Sequence, residues 1–146
     1  MLCHKQQCTA KAVIELQHGA LCKNHFISYF EEKVFKTINK NNLLDREDRI
    51  CVAASGGKDS LTVLYLVKKY MKENCFPEEN LFVLVIDEGI KNYRKETIKD
   101  LRSFCRKSKI RLIEVSAKKE FGYELDKAYP IILKKSGKKL CNVCGV

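Results

Sequence analysis

No run of apolar residues in this 146-residue chain approaches the ~20 that a membrane-spanning helix needs, and the opening residues, MLCHKQQC, lack the apolar segment of a secretory signal. Neither membrane insertion nor export is expected, and a cytoplasmic location follows. Without an export signal the eight cysteines do not read as a disulfide framework, because reducing compartments keep thiols free for metals or catalysis. Their spacings are therefore ligand patterns. No internal repeat or low-complexity segment is present, so the chain reads as one ordinary domain with a small appendage, and its 45% hydrophobic content argues for a folded core. Acidic residues are scarce only in one region. Residues 1–90 hold 12 Lys+Arg and 12 Asp+Glu, whereas residues 91–140 hold 16 and 6, so the whole net charge of +10 comes from the later part. Clustered positive charge attracts a polyanion by releasing its counterions, which makes nucleic acid the natural partner. Lysines that only keep a surface soluble are the competing explanation.

Along the chain, residues 1–25 carry metal-ligand types around a short strand, KAVIELQ (11–17), and a turn at His18-Gly19. Phe26, Ile27, Phe30, Val34 and Ile38 then recur at helical spacing and predict a helix ending near Asn41-Asn42, which links the module (1–25) through residues 26–44 to a main domain over 45–146. From Ile50 the pattern alternates: strands at 50–54, 81–87 and 110–116, helices at 60–72 and 95–107. Near-continuous apolar strands between helices predict an α/β fold, a Rossmann-like parallel sheet covered on both faces. Leu125, Ala128, Ile132 and Leu133 suggest one more helix, which Pro130 must start, kink or end.

Cys3, Cys8, Cys22 and His25 form the pattern C-x4-C-x13-C-x2-H. Tetrahedral Zn2+ needs four such ligands converging from two turns, and a segment this short has too little core to order itself without the metal. Four protein ligands leave no open position, so the zinc is expected to be structural. His4 and His18 are the alternative ligands, but neither completes the paired spacing as well.

The second pattern is CVAASGGKDSL (51–61), a strand that runs into two glycines and then a helix. Such a junction presents backbone N–H groups and the positive end of a helix dipole to an anion. Gly56 and Gly57 let the backbone approach phosphate oxygens, Lys58 adds a full charge, and the Ser55 and Ser60 hydroxyls add donors. Asp59 falls in the first helical turn, where a carboxylate suits the dipole and can help hold Mg2+. A Walker A loop needs glycine where Val52 stands and Ser or Thr where Asp59 stands, and a dinucleotide fingerprint needs spaced rather than adjacent glycines. Neither fits. Asp87 and Glu88 close the second strand, at the carboxyl edge where open α/β sheets bind ligands, although helix capping or solvation explains Glu88 as well. Cys141-x2-Cys144 supports a redox pair, half a metal site, or a nucleophile with its resolving partner. Cys51, Cys75 and Cys105 read as packed or incidental thiols.

SGGKDS after an apolar strand resembles the PP-loop of the ATP pyrophosphatases, which cleave ATP between its α and β phosphates. With C-x2-H at Cys22–His25, the linking helix, IDEGI at 86–90 and CNVCG at 141–145 in the same order, the whole chain resembles the tRNA 2-thiolation enzymes of the TtuA/TtcA group. That resemblance implies ATP contacts from Ala53, Ala54, Ser55, Gly56, Gly57, Lys58, Asp59 and Ser60, with Ile86 and Asp87 touching adenosine or magnesium. It implies a [4Fe-4S] cluster on Cys141 and Cys144, with Lys58 joining them in catalysis and a third cluster ligand that this chain does not contain. It also implies tRNA as substrate and a sulfur donor such as a thiocarboxylated ubiquitin-like protein, or sulfide delivered to the cluster. Lys91, Arg94, Lys95, Lys118, Lys119, Lys134, Lys135, Lys138 and Lys139 are the candidates for the tRNA backbone, and a homodimer is one assembly compatible with these expectations.

The implied activity is a tRNA sulfurtransferase that adenylates a uridine and replaces its C2 oxygen by sulfur. Two alternatives stand beside it: a non-catalytic zinc-containing nucleic-acid-binding module, which has no use for the SGGKDS loop, and another PP-loop adenylating enzyme, which has none for the zinc module or CNVCG. In the resembled fold the next strand pairs against the first, so the chain is expected to be a fragment, inactive alone, with the Ile50–Ala54 edge left open.

Overall fold

The computed structural model describes residues 1–90 and 93–136; Cys141 and Cys144 lie outside the described residues. The chain divides into two compact units, Met1–Asp45 and Arg46–Val146.

In the first unit, β1 (Ile14–Leu16) and β2 (Gly19–Leu21) form an antiparallel hairpin in which Ile14 faces Leu21 and Leu16 faces Gly19. The reversal sits on Gln17-His18, one residue earlier than the His18-Gly19 turn expected from sequence. Gly19 follows it at φ +116°, and a Cβ there would come within 2.8 Å of the His4 ring, so only glycine suits the position. Helix α1 (Lys23–Lys40) begins three residues before the expected start, which brings His25 into its first turn. Its end is fixed locally, since the Asn41 N–H and Nδ2 both donate to the Thr37 carbonyl.

The second unit alternates β3 (Ile50–Ala53), α2 (Lys58–Glu73), a 3-10 turn (Glu78–Asn80), β4 (Leu81–Asp87), α3 (Tyr93–Lys107), β5 (Arg111–Ser116), α4 (Ala117–Phe121) and α5 (Leu125–Ser136). The three strands form a parallel sheet in the order β3-β4-β5, with Val52 opposite Val83 and Val83 opposite Leu112. This is the α/β architecture expected from the alternating pattern.

Burial is not continuous along the strands. Val52, Val83 and Val85 are buried while Cys51, Ala53 and Ile86 are exposed. For a parallel sheet ordered β3-β4-β5, the right-handed rule for crossovers puts α2 and α3 on one face, the face that the buried valines and helix residues mark as the core. Leu64 and Met71 of α2 and Leu101 and Cys105 of α3 complete it. Burying each of the larger side chains contributes about 1.5–3 kcal/mol. Among the described residues β3 is an edge strand. Helix α5 runs through Pro130; the ring contributes no N–H to the helical ladder there but does not end it. The SGGKDS segment and Asp87-Glu88 lie where β3 and β4 end.

Candidate functional site

In the first unit, two separate turns bring four ligand atoms together. Cys3 is held by its N–H to the Ala10 carbonyl (3.0 Å), and the Cys8 N–H closes a turn onto Lys5 (3.0 Å), with Gln7 in the left-handed region at φ 61°. That left-handed residue lets a four-residue spacer return as tightly as a shorter one. Cys22 stands at the N-cap of α1 and His25 one turn later, so the second pair comes from the helix start. The three thiol sulfurs and a ring nitrogen of His25 lie within 4.8 Å of one another. Cys8 and Cys22 Sγ are 3.9 Å apart, and His25 Nδ1 is 3.2 Å from Cys3 Sγ and 3.4 Å from Cys22 Sγ.

These separations fit zinc. Tetrahedral Zn–S bonds of ~2.3 Å and Zn–N bonds of ~2.0–2.1 Å require S···S near 3.8 Å and S···N near 3.6 Å. Burial alone would push the Cys3 thiol up, but the Cys22 and Lys5 backbone groups, with His25 and Cys8, bring it down to about 6. Cys3 is therefore prepared as a thiolate, the form that binds metal. For Cys8 the Ala10 backbone favours the thiolate, but burial and the neighbouring Cys3 and Cys22 prevail and raise it. Packing three sulfur ligands this closely is costly without a cation among them. Leu21, Ile14, Leu16, Phe26 and Tyr29 pack around the cluster. His4 lies apart from it, with Nδ1 2.9 Å from the Ala20 carbonyl, and His18 is exposed on the hairpin turn.

In the second unit the SGGKDS segment forms the junction of β3 and α2. Ala54 continues the ladder through its N–H to Leu84 O (2.8 Å), and the chain then turns at Gly56 with φ +82°. The Gly57 N–H donates to Ser55 Oγ (3.3 Å), Ser60 Oγ donates to Gly57 O (2.9 Å), and the two serine hydroxyls are 3.4 Å apart. Gly57 is the N-cap of α2 and no side chain caps it. The amides of the first helical turn thus remain available to an anion. Lys58 and Asp59, the first two helical residues, are exposed beside this end.

The end of β4 adjoins this loop through a residue that the sequence pattern offered only as one of several basic candidates for a nucleic-acid backbone. Arg94 is buried, at 8% exposure, near the start of α3. Its Nη1 donates to Ser55 O (2.7 Å) and its Nη2 to Ile86 O (2.8 Å). Nη2 also reaches Glu88 Oε1 (2.6 Å), while Nε bonds the other Glu88 oxygen. The expectation that Arg94 meets a nucleic-acid backbone is thereby corrected, because the side chain is buried and four of its five donors are spent inside the fold. Glu88 likewise is neither a helix cap nor simply solvated; it holds Arg94. Asp87 Oδ1 accepts from Gly89 N–H (3.0 Å), and Glu88 O accepts from Leu125 N–H (2.8 Å). Of the other basic candidates, Lys95, Lys118, Lys119 and Lys134 are exposed, while Lys91, Lys138 and Lys139 lie outside the described residues. Cys105 is buried, and burial raises its thiol, whereas Cys51 and Cys75 are exposed.

Residues 27–127 match the family model of the PP-loop domain. The chain belongs to the PP-loop domain family. Among the relatives of this PP-loop protein, the "Cytoplasmic tRNA 2-thiolation protein 1" of Aspergillus niger is 33% identical over 144 residues, covering 99% of this chain and 40% of that protein. Its namesake from Kluyveromyces lactis is 34% identical over 145 residues, covering 99% and 38%. The U34-tRNA thiolase NcsA from Methanococcus maripaludis, solved with its [4Fe-4S] cluster, superposes with a TM-score of 0.69 at 30% identity, over 84% of this chain and 40% of that one. The PP-loop chain thus spans about 40% of the length of the relatives it matches.

Proposed function

We propose that this chain carries the ATP-binding portion of a tRNA sulfurtransferase that makes 2-thiouridine, with U34, the target named for the archaeal neighbour, as its site. The observation that carries the reading is the Ser55–Ser60 loop, whose open helix N-terminus adjoins the end of β4. Gly56, Gly57, Lys58 and Ser60 are assigned to the β and γ phosphates, Ala53, Ala54 and Ser55 to the loop's approach, and Ile86 and Asp87 to adenosine. Magnesium, with Asp59 and Asp87 as candidate oxygen ligands, would neutralise charge on the departing pyrophosphate.

In the proposed reaction a uridine C2 oxygen attacks the α phosphorus of ATP and the bond to pyrophosphate breaks. Sulfur then attacks C2, and AMP leaves with the former C2 oxygen. The relatives and the archaeal neighbour support this reading, as their names are those of tRNA thiolation proteins. Cys141 and Cys144 are assigned to a [4Fe-4S] cluster that would handle the sulfur, and Cys3, Cys8, Cys22 and His25 to structural Zn2+. The sulfur donor, a thiocarboxylated ubiquitin-like protein or sulfide, and a homodimer belong to the same proposal, and so does a cytoplasmic location, which the relatives' names support. The test supplies ATP, unmodified tRNA and sulfide to the complete protein. AMP and pyrophosphate should appear in step with 2-thiouridine; ADP and phosphate would overturn the assignment.

A further inference from the structure

A loop that binds phosphate must turn its N–H groups toward the ligand and its carbonyls away, since a carbonyl facing a phosphate repels it. Glycine makes this orientation reachable but does not select it. In a trans peptide the C=O and the following N–H point in opposite directions, so whatever holds the Ser55 carbonyl also aims the Gly56 N–H. Arg94 holds it, at 2.7 Å, from the side on which Gly56 rests against Thr97 of α3. The same guanidinium holds the Ile86 carbonyl at 2.8 Å and so ties the loop to the end of β4. One side chain thus fixes a peptide plane at the ends of both β3 and β4.

The two Glu88 oxygens complete the arrangement. They take Nε and one Nη2 hydrogen, a planar fork that sets the guanidinium's orientation and offsets its buried charge. Four of the five N–H groups are then occupied, which leaves Arg94 unsuited to grip a phosphate directly. We propose that Arg94, oriented by Glu88, is a positioning residue for the nucleotide, aiming the Gly56 N–H group at it and tying the loop to the end of β4. This inference rests on the reading of the Ser55–Ser60 loop as the ATP site.

The test measures ATP and tRNA affinity by calorimetry on the complete protein, with the ATP KM in the adenylation assay. Arg94→Lys keeps the charge but cannot span two carbonyls and a carboxylate, and should weaken ATP binding roughly tenfold or more. Glu88→Gln keeps the carbonyl contacts and loses only the ionic fork, so a smaller loss of about threefold is expected. The tRNA affinity should not change in either variant. The charge-reversed pair, Glu88→Arg with Arg94→Glu, would rescue a purely structural ion pair but not this function, because a carboxylate cannot donate to Ser55 O or Ile86 O. Folded variants that bind ATP within twofold of wild type, or that lose ATP and tRNA affinity equally, would overturn the inference. If Arg94→Lys does not fold, Glu88→Gln decides by the same criteria. Failure of the wild-type protein to bind ATP would overturn the ATP-site reading and this inference together, whereas a normal wild-type result with unaffected variants overturns the inference alone.

Discussion

Gly56 lies so close to Thr97 that a Cβ added to it would stand 2.4 Å from the Thr97 carbonyl oxygen. Its φ of +82° also disfavours any side chain. Both constraints act at the centre of the phosphate loop. Gly56→Ala should destabilise the protein by about 1–3 kcal/mol and reduce ATP affinity beyond what the unfolded fraction explains, as thermal melts and calorimetry on the same sample will show. An alanine variant with wild-type affinity would mean that the loop adopts another conformation when nucleotide binds.

Lys58 makes a second, separable prediction. It is exposed at the first position of α2, and among the described residues no ion pair involves its ammonium group. Lys58→Met should leave the melting temperature unchanged while ATP affinity falls about 10- to 100-fold, the loss expected for one charge-assisted hydrogen bond worth about 1.5–3 kcal/mol.

For the metal centre, Cys22→Ser should lower bound zinc well below the roughly one ion per chain expected for a four-ligand site. The hairpin and the start of α1 should lose order with it, since metal binding and folding are coupled in so small a core. Zinc analysis with amide hydrogen exchange over residues 1–25 checks both. Retained protection without zinc would show that Leu21, Ile14 and Phe26 suffice.

The Arg102–Glu114 pair joins α3 to β5 through two hydrogen bonds of 2.7 and 2.6 Å. The Arg102 side chain, acting first through the hydrogen bond, lowers the Glu114 carboxyl. A lowered carboxylate contributes stability above its unfolded value and loses it as pH falls through its folded one. The stability gap between wild type and Glu114→Gln should thus be present at neutral pH and vanish in acid below the ordinary glutamate range. Both groups are partly exposed, 53% and 36%, so the gap should be no more than about 1 kcal/mol and shrink with salt.

Much of this was legible in residue order because it rests on local patterns. The strand–SGGKDS–helix junction and the C-x4-C…C-x2-H set are each defined by short spacings, and the structure places their atoms where those spacings imply. Burial on alternate faces of β3 and β4 was not legible, because an apolar residue such as Ile86 can stand on either face of a strand. The inward role of Arg94 was not legible for a related reason. In sequence it is one cation in a basic stretch, and only the fold carries it back across 39 residues to the Ser55 carbonyl. The signal that could have found it was Glu88, an acidic residue just past β4 and six positions earlier.

The central claim is that the phosphate held at Ser55–Ser60 serves to activate a uridine oxygen. It is tested most directly with tRNA labelled by oxygen-18 at the uridine C2 position, incubated with ATP, sulfide and the complete protein. The account predicts that the label leaves the tRNA and appears in the phosphate of AMP, one atom for each 2-thiouridine formed. Unlabelled AMP, with 2-thiouridine still produced, would contradict it.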